Sequence, residues 1–344
     1  MRDGFSEPYK APSPASVEEA LSDYVIGQKE AKRALSVVCR GILMRREGIK
    51  VPKTNLLFAG PTGSGKTHIV ETLSDLYDIP VAIADASALT AAGYRGEDVE
   101  QVLERLIINA GMDTVKAEYG IVFFDEFDKL IGMKGEDNSP TSVQAELLKM
   151  VEGEVINLND HGKPSAKRDK PIIDTSDITF IFAGAFTSLT EKDSKKNTIG
   201  FASDIKEDEK IKIDDDAFVK AGILPELYGR IGRTVLFQPL TKEDYIKILT
   251  EKKDNVIDSY KAFFDAEGVE FTIDCEAIEE LASMAVSKGY GARGLKKILS
   301  EILEQAMYDV PSMDGIEMVK VTRDSIRERK AVYEFRNRDM EIEG

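Results

Sequence analysis

The fold of this chain is decided by the stretch Asn55-Leu56-Leu57-Phe58-Ala59-Gly60-Pro61-Thr62-Gly63-Ser64-Gly65-Lys66-Thr67. A strand-like apolar segment leads into a glycine-rich turn, and a helical pattern follows from Lys66 to Leu76. Strand, glycine-rich turn and helix together are the context that a P-loop requires. The glycines let successive backbone N–H groups point at phosphate oxygens, and the helix N-terminus adds partial positive charge. This stretch therefore predicts a site for nucleotide phosphates.

Four side chains near this loop predict the chemistry of a triphosphate site. Lys66 can reach the β- and γ-phosphates, and the Thr67 hydroxyl can ligate Mg²⁺. A second apolar strand pattern, Gly120–Phe124, ends in Asp125 and Glu126. In a P-loop fold this strand end lies beside the nucleotide, so Asp125 is expected to hold Mg²⁺, directly or through water. Glu126 is expected to polarise the water that attacks the γ-phosphate. The sequence thus predicts hydrolysis of ATP with Mg²⁺.

The bulk composition bounds the class of protein. A chain of 344 residues exceeds what one hydrophobic core usually organises, so two domains are expected. Its sequence has no apolar run near the length of a membrane span and no secretory signal, which predicts a soluble, cytoplasmic protein. Cys39 and Cys275 form no metal-spaced pair, which argues against zinc and against a disulfide. The net charge of −16 argues against a general nucleic-acid binder.

Alternating strand and helix signals predict an α/β fold with a parallel sheet covered by helices on both faces. The predicted strands are Asn55–Ala59, Pro80–Ala84, Gly120–Phe124 and Ile178–Ala183, with helices at Gln28–Arg46, Lys66–Leu76, Glu97–Ala110 and Val143–Glu152. Residues 1–16 read as a flexible segment, and residues 17–239 as a large ATPase domain.

A second domain, 240–325, reads as smaller and mainly helical. Its predicted elements are one long helix from Thr241 to about Ala266, a strand at Val269–Ile273, helices at Cys275–Ser287 and Ala292–Asp309, and a strand at Glu317–Thr322. The tail 326–344 is dense in charge, a composition that favours disorder.

Two arginines are candidates for stabilising a phosphoryl transition state. Arg230 ends the segment Leu224–Arg230 just before the change of domain, and Arg293 lies in Gly291–Leu295 at the start of a helix. An arginine finger offsets the negative charge that spreads over the equatorial oxygens. Surface arginines are usually only solvated, so position alone leaves both readings open.

Several segments in a fixed order make the chain resemble the ClpX family of AAA+ unfoldases, from about Tyr24 to Arg323. The segments are Tyr24–Gln28, the P-loop, Ala91–Val99, Asp125–Lys129, Gly184–Phe186, Leu224–Arg230, Gly291–Leu295 and Met307–Met313. The resemblance implies an AAA+ fold and a homo-hexameric ring that hydrolyses ATP between subunits. It makes Arg230 the finger in the neighbour's site and Arg293 a sensor in its own chain. Val25 and Ile26 would lie against the adenine.

The resemblance also implies two loops that contact other proteins. Gly93-Tyr94-Arg95-Gly96 resembles the loop that grips unfolded or tagged substrates in the central pore, where an aromatic ring contacts any polypeptide. Arg95 replaces a small aliphatic residue, and we hypothesise that its charge favours acidic segments. Ile199-Gly200-Phe201, inside the charged stretch Glu191–Lys210, resembles the plug that enters clefts on a ClpP-like peptidase ring. Folding of this tripeptide back onto its own domain is the simpler alternative.

Besides Arg95, the sequence departs from the family pattern in four places. No cysteine-rich zinc module precedes Tyr24, and the basic loop His161–Lys170 stands where the family has a basic tripeptide. The segment Gly132–Thr141, where a second pore loop is expected, has no assignable gripping residue. Thr187 is only a weak candidate for the polar sensor after the fourth strand.

The leading interpretation is an ATP-driven unfoldase and translocase that feeds a separate peptidase. His68 and His161 form no recognisable triad with a serine, so no proteolytic site is predicted in the chain itself. The main alternative is a remodelling chaperone that works without a peptidase. An HslU-type unfoldase would need a large inserted domain that this length does not accommodate. A nucleic-acid motor should show a basic channel, which the overall acidity disfavours.

Overall fold

A computed structural model of the chain describes residues 11–90, 97–132, 140–158, 171–187, 189, 215–289 and 291–336. The chain divides into two compact units, each with its own hydrophobic core. The first unit takes its described residues from 11–21, 28–62 and 66–238, and the second takes them from 22–27, 63–65 and 239–336. Among the helices in these ranges, none is long and apolar enough to span a bilayer.

A five-stranded parallel sheet forms the centre of the first unit. Its strands are β1 (Asn55–Ala59), β2 (Val81–Asp85), β5 (Ile121–Asp125), β8 (Thr179–Gly184) and β9 (Ile231–Leu236). They lie in the order β2-β5-β8-β1-β9, and all neighbouring pairs are parallel. Every residue of β1 and β8 is buried, so both faces of the sheet are covered. The predicted parallel α/β class is confirmed.

The remaining elements of the first unit connect and cover this sheet. The helices are α1 (Pro14–Ser22), α2 (Lys29–Arg46), α3 (Lys66–Tyr77), α4 (Val99–Asn109), α5 (Thr114–Glu118), α6 (Phe127–Gly132), α7 (Pro140–Glu152), α8 (Asp215–Lys220) and α9 (Pro225–Tyr228), with a 3-10 turn at Ala86–Ala88. Two short ribbons pair β3 (Leu89–Thr90) with β4 (Glu97–Asp98) and β6 (Val155–Asn157) with β7 (Ile172–Asp174). Helix α1 already starts at residue 14, inside the segment that the sequence predicts to be flexible.

Buried aromatic rings bracket the acidic end of β5. The Phe124 ring stacks on Phe182 of β8 at 5.5 Å between centroids, and the Phe127 ring lies 4.8 Å from the same Phe182. All three side chains are fully buried. Asp125 and Glu126, which stand between Phe124 and Phe127, are therefore carried on a backbone that is anchored in the core on both sides.

Strand β9 is not among the four strands that the sequence predicts for this unit. Because β9 lies at the edge of the sheet, it carries no continuous apolar run, and only Val235 within it is buried. Its register places Ile231 beside Asn55, the first residue of β1. An edge strand of this composition lacks the signal by which buried strands are recognised.

Asn55 ties three strands together at this point. Its Nδ2 donates a hydrogen bond to the Arg230 carbonyl oxygen at 3.0 Å, and its Oδ1 accepts one from the Phe180 backbone N–H at 3.0 Å. The side chain is buried. One amide therefore links the start of β1 to β8 and to the residue that precedes β9.

The second unit combines a small mixed sheet with helices. Its strands β10 (Glu270–Ile273), β11 (Ile316–Val321) and β12 (Val332–Phe335) lie in that order, with β10 parallel and β12 antiparallel to β11. Its helices are α10 (Lys242–Thr250), α11 (Val256–Ala266), α12 (Cys275–Lys288), α13 (Gly291–Asp309) and α14 (Arg323–Glu328). Apolar residues of these helices and strands pack into one core.

The prediction of a single helix from Thr241 to Ala266 is wrong, because α10 and α11 are separate helices. A capping box between Thr241 and Asp244 begins α10. The chain then turns at Asp254, which has a left-handed φ of +54°, and Asn255 caps α11 by accepting a hydrogen bond from the Asp258 N–H at 2.9 Å. A short polar side chain that bonds the backbone competes with helix continuation.

Residues just after Ser325 are ordered parts of the second unit, in contrast to the charged tail that the composition favours. Helix α14 extends to Glu328, and β12 adds a strand to the sheet. The Tyr333 hydroxyl donates a hydrogen bond to Asp309 Oδ2 at 2.9 Å. Strand β12 is held by its pairing with β11, which local charge density does not indicate.

We expect Asn55→Ala to lower the free energy of unfolding of the first unit by about 1–3 kcal/mol, because the buried Phe180 N–H loses its acceptor. The midpoint of urea-induced unfolding, followed by circular dichroism, measures the change. Thr54→Ala is the matched control, and we expect it to cost less than about 1 kcal/mol. Equal midpoints for Asn55→Ala and Thr54→Ala would contradict the role of the amide.

Candidate active site

The turn between β1 and α3 brings together the glycines of the P-loop. Gly60 has φ +156°, and a Cβ at this position would lie 2.5 Å from the Phe237 carbonyl oxygen, so only glycine fits. Gly63 and Gly65 have φ values of +78° and +94°, in the region that favours glycine. Helix α3 begins at Lys66, so the N–H groups of its first turn lie at this loop. Of the other predicted loop residues, Ser64 is buried, Pro61 is half-buried and Thr62 is exposed.

The Lys66 ammonium lies against the backbone of the loop. Its Nζ donates hydrogen bonds to the carbonyl oxygens of Gly60 at 2.7 Å and Pro61 at 2.9 Å, and the residue is only 8% exposed. The backbone of the loop therefore holds the positive charge of Lys66 close to the glycine-rich turn. Phosphate oxygens are the partners that such a charge-assisted donor favours.

Thr67 and Asp125 meet at the carboxyl ends of the strands. The Thr67 Oγ1 donates a hydrogen bond to Asp125 Oδ2 at 2.9 Å, and Asp125 Oδ1 accepts one from the Glu126 N–H at 2.9 Å. A hydroxyl and a carboxylate suit Mg²⁺, which usually keeps water and phosphate oxygens in its other positions. Within the described ranges, no cluster of three or more His, Cys, Asp or Glu residues could hold a metal by itself. The donor set therefore fits a metal carried with a phosphate.

Glu126 has a special backbone and a charged partner. Its φ is +55°, left-handed for a residue with a side chain. Its Oε2 accepts a hydrogen bond from Lys129 Nζ at 2.6 Å, one turn further along the chain. That hydrogen bond raises the pKa of Lys129, so the ammonium stays charged beside the carboxylate. Glu126 is thus an oriented carboxylate next to the Thr67–Asp125 pair.

Asp128 also lies at the carboxyl ends of the strands, and the sequence alone predicts no role for it. Its Oδ2 accepts a hydrogen bond from the Phe186 N–H at 3.1 Å, just after the end of β8. A Cβ on Gly184 would lie 2.6 Å from Asp128 Oδ1, so a larger residue there would displace this carboxylate. Asp128 thereby ties the segment after β8 to the acidic segment. Thr187, the weak sensor candidate, follows this junction and is exposed.

Arg230 lies at the amino ends of the strands, whereas the P-loop lies at their carboxyl ends. It directly precedes β9, whose first residue pairs with Asn55 at the start of β1, whereas the P-loop follows the end of β1. A five-residue strand spans about 13 Å from its first to its last residue. The structure therefore brings Lys66, Thr67, Asp125 and Glu126 together and leaves Arg230 apart from them. In its own chain, Arg230 pairs with Glu152, with 2.6 Å between Nη2 and Oε1.

In the second unit, three of the predicted site residues lie on two short segments. Val25 is buried, and Ile26 is half-buried. Arg293 is exposed in the first turn of α13. A Cβ on Gly63, which belongs to this unit, would lie 2.7 Å from the Gly291 Cα, so the start of α13 lies directly against that glycine.

The predicted pore loop Gly93-Tyr94-Arg95-Gly96 and the predicted docking tripeptide Ile199-Gly200-Phe201 lie outside the described residues. The basic loop 161–170 and most of the segment 132–141 lie outside them as well.

Comparisons with known proteins cover both units. Residues 51–234 match the family of AAA domains (Cdc48 subfamily), and residues 240–323 match the family of the C-terminal, D2-small domain of ClpB protein. The chain is 40% identical over 327 residues to the "ATP-dependent Clp protease ATP-binding subunit ClpX" of Treponema denticola. This match covers 88% of the present chain and 79% of that protein. The chain is 38% identical over 342 residues to the protein of the same name from Borrelia duttonii, with 93% and 79% covered.

We expect Lys66→Met to weaken nucleotide binding by about 2–3 kcal/mol, because a charge-assisted donor to phosphate is lost. Isothermal titration calorimetry with a non-hydrolysable ATP analogue measures the affinity. Lys116→Met is the matched control. It removes the same charge at an ion pair with Asp78, on a helix that precedes β5 and so lies toward the amino ends of the strands. Equal affinities of the two variants would contradict the role of Lys66.

Proposed function

Since this chain belongs to the ClpX family of AAA+ ATPases, we propose that it is the ATP-driven unfolding and translocating subunit of a Clp-type protease. The resemblance predicted from the sequence is confirmed over 88% and 93% of the chain, and so are the AAA+ fold and the ATPase activity. The proposed assembly is a homo-hexamer that binds ATP with Mg²⁺. It would thread unfolded or tagged proteins through its pore into a ClpP-like peptidase ring.

The chemistry of hydrolysis is proposed for the carboxyl edge of the sheet. The P-loop N–H groups and Lys66 bind the phosphates, and Thr67 with Asp125 would hold Mg²⁺, which supplies charge neutralisation on the phosphates when it is bound. Glu126 orients the attacking water and accepts its proton. The ion pair with Lys129 restricts the side chain of Glu126. These roles follow from hydroxyl, carboxylate and ammonium groups that lie within one small region.

One observation favours a site completed by a second copy of the chain. Arg230 is exposed at the amino edge of the sheet, about one strand length from its own P-loop. An arginine that stabilises the transition state must touch the phosphoryl oxygens. Arg230 would therefore act on the nucleotide of a neighbouring subunit, which makes the ring a requirement of the chemistry. Arg293, with Val25 and Ile26, is proposed to contact nucleotide from the second unit of its own chain.

The proposals for substrate and peptidase rest on the sequence pattern. The loop Gly93–Gly96 would grip the polypeptide through Tyr94, and Ile199–Phe201 would dock into clefts of the peptidase ring. Several weak plugs on one ring give avidity beyond any single contact. A remodelling chaperone that works without a peptidase shares the same ATPase chemistry, and only this tripeptide in the sequence argues against it.

Mixed assemblies test whether Arg230 acts in trans. Arg230→Ala chains keep a hydrolytic site but provide no finger, and Glu126→Gln chains provide a finger but cannot activate water. We expect each variant alone to hydrolyse ATP at least about 100-fold more slowly than wild type, and their mixture to regain turnover at junctions that combine both intact parts. Steady-state ATPase rates over a series of mixing ratios measure the recovery. A mixture no faster than its components would contradict action in trans.

Degradation of a stable tagged protein tests the unfoldase proposal. We expect wild type to support ATP-dependent degradation only when a ClpP-type peptidase is present. Deletion of Ile199–Phe201 should keep the ATPase rate and reduce degradation at least about tenfold, because the docking contacts are lost. Release of peptide fragments and ATP turnover are measured in parallel. Remodelling of a protein complex with no effect on the peptidase would favour the stand-alone chaperone.

A further inference from the structure

We propose that Glu152 is a positioning residue that orients the guanidinium of Arg230 toward the neighbouring subunit. The inference rests on the proposed role of Arg230 as a finger in trans. Nε and Nη2 of Arg230 both donate hydrogen bonds to Oε1 of Glu152, at 3.1 and 2.6 Å. Glu152 stands at the end of α7, 78 residues earlier in the chain, and lies outside the P-loop, the acidic pair and the segment Leu224–Arg230.

The geometry of the pair leaves the arginine able to act. A guanidinium has five N–H donors, and Glu152 uses one on Nε and one on Nη2. Nη1 and the second Nη2 hydrogen point away from the carboxylate. The Arg230 side chain is 56% exposed, so this second edge can reach an anion on another molecule. Glu152 therefore holds one edge of the planar group and leaves the donors of the other edge outside this pair.

The backbone of Arg230 is already fixed on both sides. Its N–H donates a hydrogen bond to the Leu227 carbonyl at 3.0 Å, and its carbonyl accepts one from Asn55 at 3.0 Å. The remaining freedom is that of the long side chain. An ion pair at the tip of the side chain removes that freedom before a phosphate arrives, which is how preorganisation assists a transition state.

Glu152 is itself carried on an anchored helix end. Lys53 Nζ donates hydrogen bonds to the carbonyls of Val151 at 3.1 Å and Thr175 at 3.2 Å. Thr175 Oγ1 donates a hydrogen bond to the Met150 carbonyl at 2.9 Å. Burial, with Arg45 nearby, lowers the pKa of Lys53 to about 8. The carboxylate of Glu152 thus projects from a backbone that cannot easily shift.

The other end of α7 holds the same arginine-bearing segment. Gln144 Nε2 donates a hydrogen bond to the Gly222 carbonyl at 3.1 Å, and its Oε1 accepts one from the Leu224 N–H at 2.8 Å. Gln144 is 1% exposed. From Gln144 to Glu152 the helix rises about 12 Å. Helix α7 therefore contacts the segment 222–230 twice, and the second contact is at the functional side chain.

The alternative is that Glu152 and Arg230 form an ordinary solvated ion pair that does not affect ATP hydrolysis. Exposed pairs of this kind add little to the stability of a fold. The two readings differ in what Glu152→Ala changes. A positioning role predicts slower turnover with unchanged unfolding, whereas a solvated pair predicts that neither changes.

Mixed assemblies of Glu126→Gln and Arg230→Ala chains test the proposal. In these assemblies, a junction can hydrolyse ATP only where a Glu126→Gln chain provides Arg230 and an Arg230→Ala chain provides the hydrolytic site. We expect Glu152→Ala, when added to the Glu126→Gln chain, to lower the kcat of the mixture about tenfold relative to the parent mixture. The KM for ATP should stay within about twofold of the parent value. The same substitution in the Arg230→Ala chain should leave the recovered rate unchanged. Glu152→Gln, which keeps a neutral acceptor, should fall between wild type and Glu152→Ala.

Glu154→Ala in either chain is the matched control, since Glu154 is exposed and only two residues away. The urea midpoint of Glu152→Ala should equal that of Glu154→Ala. A loss of rate that follows the Arg230→Ala chain, or that appears equally with both chains, would overturn the proposal. So would an unchanged rate. If the parent mixture itself recovers no turnover, the finger in trans has failed, and the Glu152 proposal fails with it for that separate reason.

Discussion

The common direction of the five strands is the constraint on which the rest of the first unit depends. In a parallel sheet, every strand ends at the same edge. The P-loop, Asp125 and Glu126 follow the carboxyl ends of β1 and β5, whereas Arg230 precedes the amino end of β9. Because β1 is hydrogen-bonded on both sides, it acts as a rigid spacer between these groups. This separation is the basis of the proposal that a second copy completes the site.

Two buried amides define where the arginine-bearing segment lies. Asn55 links Arg230 to β8, and Gln144 links residues 222 and 224 to α7. Each amide offers both a donor and an acceptor, and each satisfies one of either kind on the backbone. The buried contacts thereby fix the segment, and the exposed guanidinium is left to an ion pair at the surface. A group that is proposed to act on another subunit needs a fixed backbone and an accessible side chain.

The carboxyl ends of the strands show a similar division between anchoring and the proposed function. Glu126 has a left-handed φ, which costs free energy for a residue with a Cβ. The neighbouring Phe124 and Phe127 are fully buried, so core packing holds the unusual turn in place. Asp125 bonds both Thr67 and the Glu126 N–H. The turn that directs Glu126 away from the strand is thus maintained by packing on one side and polar contacts on the other.

The amino-acid sequence by itself determined the central strands, the P-loop and the acidic pair, because buried apolar runs and glycine-rich turns are signals contained within a few residues. It did not indicate β9, the break before Asn255, the strand β12 or the pairing of Glu152 with Arg230. The two edge strands and the ion pair depend on partners that tertiary packing supplies, and Glu152 and Arg230 are 78 residues apart. The break before Asn255 is different, because its cap joins residues only three apart and competes with a helical pattern that continues on both sides. Only the tertiary structure could decide which edge of the sheet each charged group faces, since local periodicity carries no information about strand order.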